Sequence, residues 1–336
     1  MSIPLIIEWT IKSALILITL LTGFAYLTYF ERKTLARIQV RIGPNRAGPA
    51  GLLQPVADGI KLIFKEEIIP EGAYKVLFVL APVVTVIPAL IILAVLPWGE
   101  SITLFGRQIP LYLTDINVGI LYIAAIASIS VYGIVLAGWS SNNKYAMLGG
   151  MRSSAQMISY ELALGLTLIG PIMLAGSMSL KDIVEAQRPV WFAVYQPLGA
   201  FLFFLSVLAE VNRAPFDMPE AEQELTAGYH TEYSGMKFAL FFMAEYVKMI
   251  AVSAISATLF FGGYLGPFVD QVPILGPVYL TLKTVILLFI MIWVRATLPR
   301  IRYDRLMAFG WKVMLPLSLL NVMVTAVVLV LIGGIS

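Results

Sequence analysis

Seven stretches of this 336-residue chain run for 18 residues or more without Asp, Glu, Lys or Arg: 13–30, 76–99, 116–143, 162–180, 189–209, 249–269 and 313–336. About 18 to 20 apolar residues wound as a helix cross the hydrocarbon core of a bilayer, so each run reads as a membrane span. An eighth, 274–297, reads the same way although Lys283 interrupts it. Strand-like alternation is weak, and barrel strands are only about ten residues long, which argues against a transmembrane barrel. Just 13% of the residues are charged and 59% are hydrophobic, whereas a soluble domain is roughly one quarter charged. The expected fold is an all-α polytopic membrane protein with eight spans, near 5–29, 74–97, 114–138, 155–176, 189–210, 237–261, 274–297 and 311–333. It forms a single integral membrane domain, 1–336. The first span lacks a basic leader and a small-residue cleavage site, so it is expected to stay in the mature chain.

Charge distribution orients these spans. Loops 1, 3, 5 and 7, counted with their flanks, hold 17 of the 23 Lys and Arg residues. Loops 2, 4 and 6 hold only Arg107, Lys181 and Arg188, and the other three, Lys12, Lys248 and Lys283, lie within helices. The positive-inside rule therefore places the odd loops in the cytoplasm and both termini outside.

The first cytoplasmic loop, 31–72, is basic. Its centre, Gly43-Pro44-Asn45-Arg46-Ala47-Gly48-Pro49-Ala50-Gly51, is too broken for regular structure. Beyond it, Leu52, Leu53, Val56, Ile60 and Ile63 mix with Asp58 and Lys61 as a short amphipathic helix on the membrane surface. The fifth-span exit, 208–236, is acidic: Glu210, Asp217, Glu220, Glu222, Glu224 and Glu232 stand beside one arginine, Arg213, and the only histidine, His230. Asp217-Met218-Pro219-Glu220 reads as a capped helix start. From it, Asp217, Glu220 and Glu224 share one face, and carboxylates crowded in restricted water exchange protons near neutrality.

Charges inside spans are costly and mark function. Glu161 sits a few residues into the fourth span, with Arg152 nine residues upstream as a partner only if the backbone bends. Glu245 and Lys248 have the i,i+3 spacing of a same-face pair, as Glu8 and Lys12 have at i,i+4. The absence of cysteine excludes disulfides and cysteine-ligated clusters in this chain, and one histidine disfavours a protein-only zinc site. A net charge of +3 gives no basis for nucleic-acid binding. No phosphate loop, nucleophile triad or metalloprotease helix is present. An ion-coupled transporter stays open as an alternative, because buried acids and broken helices also mark such carriers.

Two blocks, ERKTLARIQVRIGPNRAGPAGLLQPVADGIKLIFKE at 31–66 and EVNRAPFDMPEAEQELTAGYHTEYSG at 210–235, together with PRIRYDRLM at 299–307, resemble the H-subunit family of bacterial NADH-quinone oxidoreductases. That family is homologous to mitochondrial subunit 1 of respiratory complex I. The resemblance implies a proton-pumping complex in which this chain lines a chamber for ubiquinone or menaquinone, with no independent catalysis. Iron–sulfur clusters and FMN would belong to partner subunits, and this chain alone would bind no cofactor. Its neighbours would be hydrophilic quinone-site and iron–sulfur subunits, small membrane subunits and lipids. A related hydrogenase-like complex is an alternative. Carried over by motif, Arg37, Arg41, Arg46, Arg213, Phe216, Asp217, Glu220, Glu222 and Glu224 would line the quinone chamber. Glu161, Glu210 and Glu245 would carry proton coupling.

Overall fold

The computed structural model describes residues 3–104, 107–217 and 227–333. In chain order its elements are α1 (Ile3–Ile38), α2 (Gln54–Ile63), α3 (Lys75–Ile91), a hairpin of β1 (Ser101–Leu104) and β2 (Arg107–Pro110), α4 (Gly119–Ser140) and α5 (Lys144–Ala175). There follow α6 (Leu180–Ala186), α7 (Phe192–Tyr195), α8 (Pro197–Glu210), α9 (Gly235–Phe260), α10 (Leu275–Thr297), α11 (Tyr303–Phe309) and α12 (Leu315–Gly333). A π-helical turn, Gly310–Met314, joins the last two. Among the described residues, seven helical runs are long and apolar enough to cross a membrane. The all-α membrane bundle is therefore as expected, with the small antiparallel hairpin as its only strands among the described residues.

The fifth expected span, 189–210, departs from expectation. It breaks at Gln196 (φ −131°, ψ 63°) into α7 and the 14-residue α8, and 14 residues rise only about 21 Å. Pro197 is the cause. Its ring steers the preceding residue out of the helical region, while its missing N–H suits the first turn of the helix that follows.

Helix α1 departs in the other direction. No Gly or Pro occurs between Phe24 and Ile42, so nothing stops it at the membrane boundary and it reaches Ile38. Its 36 residues rise about 54 Å, against a hydrocarbon core of about 30 Å. Glu31, Arg32, Lys33 and Arg37 thus stand on a helix rather than in a loop. Helix α5 likewise absorbs most of the expected 139–154 loop. Asn143 caps its start by accepting from Tyr145 N at 2.9 Å, and Gly176, in the left-handed region at φ 67°, ends it.

Helix α9 runs through the centre. Ala251, Ser253, Ala254, Ser256 and Ala257 are all buried there, and side chains this small let neighbouring helices come close. Peripheral helices instead turn apolar residues outward, with Ile18 of α1 63% and Val330 of α12 74% exposed. Such surface suits lipid or a neighbouring subunit.

Helix α3 shows how the segment before α9 is anchored. Pro82 has no N–H for the carbonyl four residues earlier, that of Phe78. The Tyr233 hydroxyl donates to this carbonyl at 3.2 Å, and the Tyr233 ring stacks on Phe78 at 4.0 Å. On α5, a Cβ at Gly149 would fall 2.6 Å from the Gly228 Cα. Glycine there lets the chain returning from the acidic insert lie directly on the helix.

Candidate functional site

The site begins where α8 ends. Asn212 adopts φ 54°, a left-handed conformation that asparagine tolerates. Its N–H donates to Ala209 O at 3.3 Å, and Arg213 N–H donates to Leu208 O at 3.3 Å. This paired pattern is a Schellman motif. It stops the helix one residue after Glu210 and turns Arg213 back toward the bundle. Buried Gln156 of α5 secures the turn, its amide donating to Ala209 O at 2.9 Å and Phe216 O at 2.7 Å.

Arg213 is 4% exposed. Its Nε lies 2.8 Å from Glu245 Oε1 of α9 and its Nη1 3.5 Å from Glu31 Oε1 of α1. The guanidinium also covers the Tyr246 ring, 4.4 Å from its centroid. Burial opposes the charge on Arg213, but the Glu245 and Glu31 carboxylates outweigh it and hold its pKa above the ordinary guanidinium value. Glu31 receives a second cation, Arg295 from the end of α10.

The second pair lies beside the first. Lys248 Nζ is 3.1 Å from Glu210 Oε1 and donates to Ser130 Oγ of α4, also at 3.1 Å. The expected Glu245–Lys248 pair is thus replaced: each member reaches to a different element, Glu245 to the insert and Lys248 to α8. A cavity of about 40 Å³ separates them, with Thr85, Ser130, Glu210, Asn212, Tyr229, Glu245 and Lys248 among its lining. One water needs roughly 10–15 Å³ of such space, so the cavity has room for a few.

Glu161 stands outside this lining. Ser128 of α4 donates to its Oε1, while Ser130, two residues on, accepts from Lys248, so α4 serves one acid and one cation through hydroxyls. Arg152 does not approach Glu161. The continuous α5 separates their backbones by about 13.5 Å, and Arg152 lies over the Tyr303 ring instead.

The remaining sequence-derived residues divide into three groups. Asp217, 7% exposed, accepts from Arg300 Nη2 at 2.7 Å, and buried Phe216 packs on Tyr160 with centroids 5.7 Å apart. Arg37, Arg41 and Arg46 are exposed, and Arg41 donates to Gln39 Oε1 at 2.7 Å; none of the three joins the buried cluster. Glu220, Glu222 and Glu224, with the expected helix start at 217–220, lie outside the described residues apart from Asp217 itself. His230 is buried among Tyr229, Phe238 and Phe241, and that burial lowers its pKa to about 3.

Sequence reasoning missed Glu31, Arg295, Arg300, Ser128 and Ser130 as partners. Glu31 and Arg295 carried a usable signal, since each is a charge at the end of a long apolar run. The hydroxyls carried none, because serines at helix-compatible positions are common in packed membrane helices.

Similarity to known proteins extends over nearly the whole chain. Residues 11–326 match the family model described as NADH dehydrogenase. The NADH-quinone oxidoreductase H subunit 1 of Geobacter metallireducens is 53% identical over 320 residues, covering 95% of this chain and 96% of that protein. The H subunit 2 of Syntrophobacter fumaroxidans is 54% identical, covering 94% and 93%, and the H subunit of Thermomicrobium roseum is 52% identical, covering 93% and 94%. With that coverage and identity, the chain belongs to the H-subunit family of bacterial NADH-quinone oxidoreductases.

Proposed function

We propose that this chain lines the quinone chamber of a proton-pumping NADH-quinone oxidoreductase and passes the consequence of quinone reduction to proton translocation. The observation that carries this reading is the run of buried charges from the start of the insert, through Arg213 and Glu245, to the cavity at Glu210 and Lys248. Reducing a quinone to a quinol takes two electrons and two protons. In this reading the electrons come from an iron–sulfur cluster of a hydrophilic partner, and this chain supplies the path for quinone and the first acids that respond. Arg37, Arg41 and Arg46 shape the chamber entrance. Arg213, Phe216, Asp217, Glu220, Glu222 and Glu224 form its wall. Glu245, Glu210 and Glu161 relay the change in protonation toward neighbouring membrane subunits. The odd loops face the cytoplasm of a bacterial inner membrane, with the termini outside.

Electrostatics supports the coupling of these acids. Each buried acid is balanced by a cation or hydroxyl, so a charge arriving at the quinone alters the proton affinity of the nearest acid and then of the next. The test is Glu245→Gln and Glu210→Gln in the assembled complex, with rates normalised to NADH oxidation by an artificial acceptor. Quinone reductase rate and proton pumping are each expected to fall at least tenfold. Normal values in both variants would overturn the coupling role.

A further inference from the structure

Two buried cations serve the site, and they are held differently. The Arg213 fork is fixed between Glu245 and Glu31 and lies over Tyr246. Lys248, 8% exposed, is a single ammonium on a flexible four-carbon stem, meeting Glu210 and Ser130. An ammonium has three N–H donors, and the cavity beside Lys248 leaves space for its head to move. Glu245, three residues earlier on α9, lines that same cavity.

We propose that Lys248 is a positioning residue that keeps Glu210 ionised and swings toward Glu245 when Glu210 takes up a proton. The inference rests on the coupling role given to Glu210 above. The proton adds to a Glu210 carboxylate oxygen, making a neutral acid, while Lys248 keeps its three protons and its charge. Having lost its counter-ion, the ammonium turns to the next carboxylate bordering the cavity, that of Glu245. When the ammonium returns, the proton affinity of Glu210 falls and its carboxyl gives the proton to a water in the cavity, which leaves the carboxylate paired with Lys248 again. The charged or titratable groups around the cavity are Glu245 and Lys248 from α9, Glu210 from α8 and Tyr229 from the turn before α9. Helices α3, α4 and α5 contribute Thr85, Ser130 and Met157, which do not titrate.

The test compares Lys248→Gln, Lys248→Arg, Glu210→Gln and the double variant Lys248→Gln/Glu210→Gln in the intact complex in membrane vesicles. Removing the cation favours protonated Glu210, so in Lys248→Gln the pH profile of quinone-driven pumping is expected to move upward by about one unit or more, a roughly tenfold tighter hold on the proton. Infrared difference spectra are expected to show a protonated carboxylic acid band near neutral pH in Lys248→Gln that the wild type and the double variant lack. Lys248→Arg is expected to keep the wild-type profile. An unshifted profile without the band in Lys248→Gln, alongside loss of pumping in Glu210→Gln, overturns the role of Lys248 and leaves the coupling reading standing. Normal pumping in Glu210→Gln overturns both. Should Lys248→Gln fail to assemble, recovery in the double variant supports the pairing, and no recovery assigns Lys248 to packing and overturns the proposal.

Discussion

Replacing Arg213 by Met tests the cluster most directly, because the change removes one charge and leaves a side chain of comparable length. Glu31 would keep Arg295, but Glu245, whose side chain is only 16% exposed, would lose the guanidinium 2.8 Å away and remain a largely buried carboxylate. Breaking a buried pair from one side costs about 3–5 kcal/mol, chiefly through the charge left behind. For a chain of this size, about 3 kcal/mol corresponds to roughly 4 °C in the unfolding midpoint. The assay is the thermal midpoint of quinone reductase inactivation in the purified complex, with Glu245→Gln and the Arg213→Met/Glu245→Gln double variant measured in parallel. If the stranded charge causes the loss, the double variant recovers at least half of the drop, because neither partner then remains charged. Strictly additive losses, or an Arg213→Met midpoint within about 1 °C of wild type, would refute the reasoning.

Two further predictions concern the segment that leads into α9. Tyr233→Phe keeps the stack on Phe78 but removes the hydroxyl that serves the carbonyl freed by Pro82. It is expected to cost about 1–3 kcal/mol, the desolvation penalty of a buried acceptor left unmade, read as a lower thermal midpoint and faster amide exchange at the start of α9. An unchanged midpoint would dissociate the proline from the tyrosine. His230, whose pKa falls from the ordinary 6.5 to about 3, stays neutral when folded at about pH 5 while the unfolded chain binds a proton. Stability from this group is therefore complete above about pH 6.5 and declines as pH falls, by about 2 kcal/mol at pH 5. His230→Phe is expected to lose less stability than the wild type between about pH 7 and 5, and parallel curves for the two proteins would exclude this origin.

Span positions were legible because an uncharged run of about 18 residues has few other destinations, and the long helices fall on those runs. Their ends were less legible. The expected loop at 31 needed a stop signal, and the sequence places none before Gly43. The Pro197 break is readable in retrospect, since proline at a first helical turn and proline inside a kinked span look alike until neighbours are known. Charge pairing was the least legible feature. A spacing of three shows that Glu245 and Lys248 share a face of α9, but not that α8 and the insert deliver Glu210 and Arg213 to that face. Such partners are set by how the Schellman turn at Asn212 redirects the chain, a local event with a long-range result.

The linked groups also explain why this site is sensitive to one proton. Glu31, Glu245 and Glu210 face Arg213, Arg295 and Lys248, so with every group ionised the six charges cancel. A protonated acid leaves one positive charge uncompensated where few waters can relax around it. At about 4 Å and an effective dielectric near 20, a unit charge interacts with its neighbour by about 4 kcal/mol, close to three orders of magnitude in proton affinity. A surface cluster would be screened by water and salt. Here the balance is restored only by moving a side chain or passing the proton on. Neutrality of these six groups and strong coupling on perturbation are thus one property, and both follow from setting Arg213, Arg295 and Lys248 against Glu31, Glu245 and Glu210.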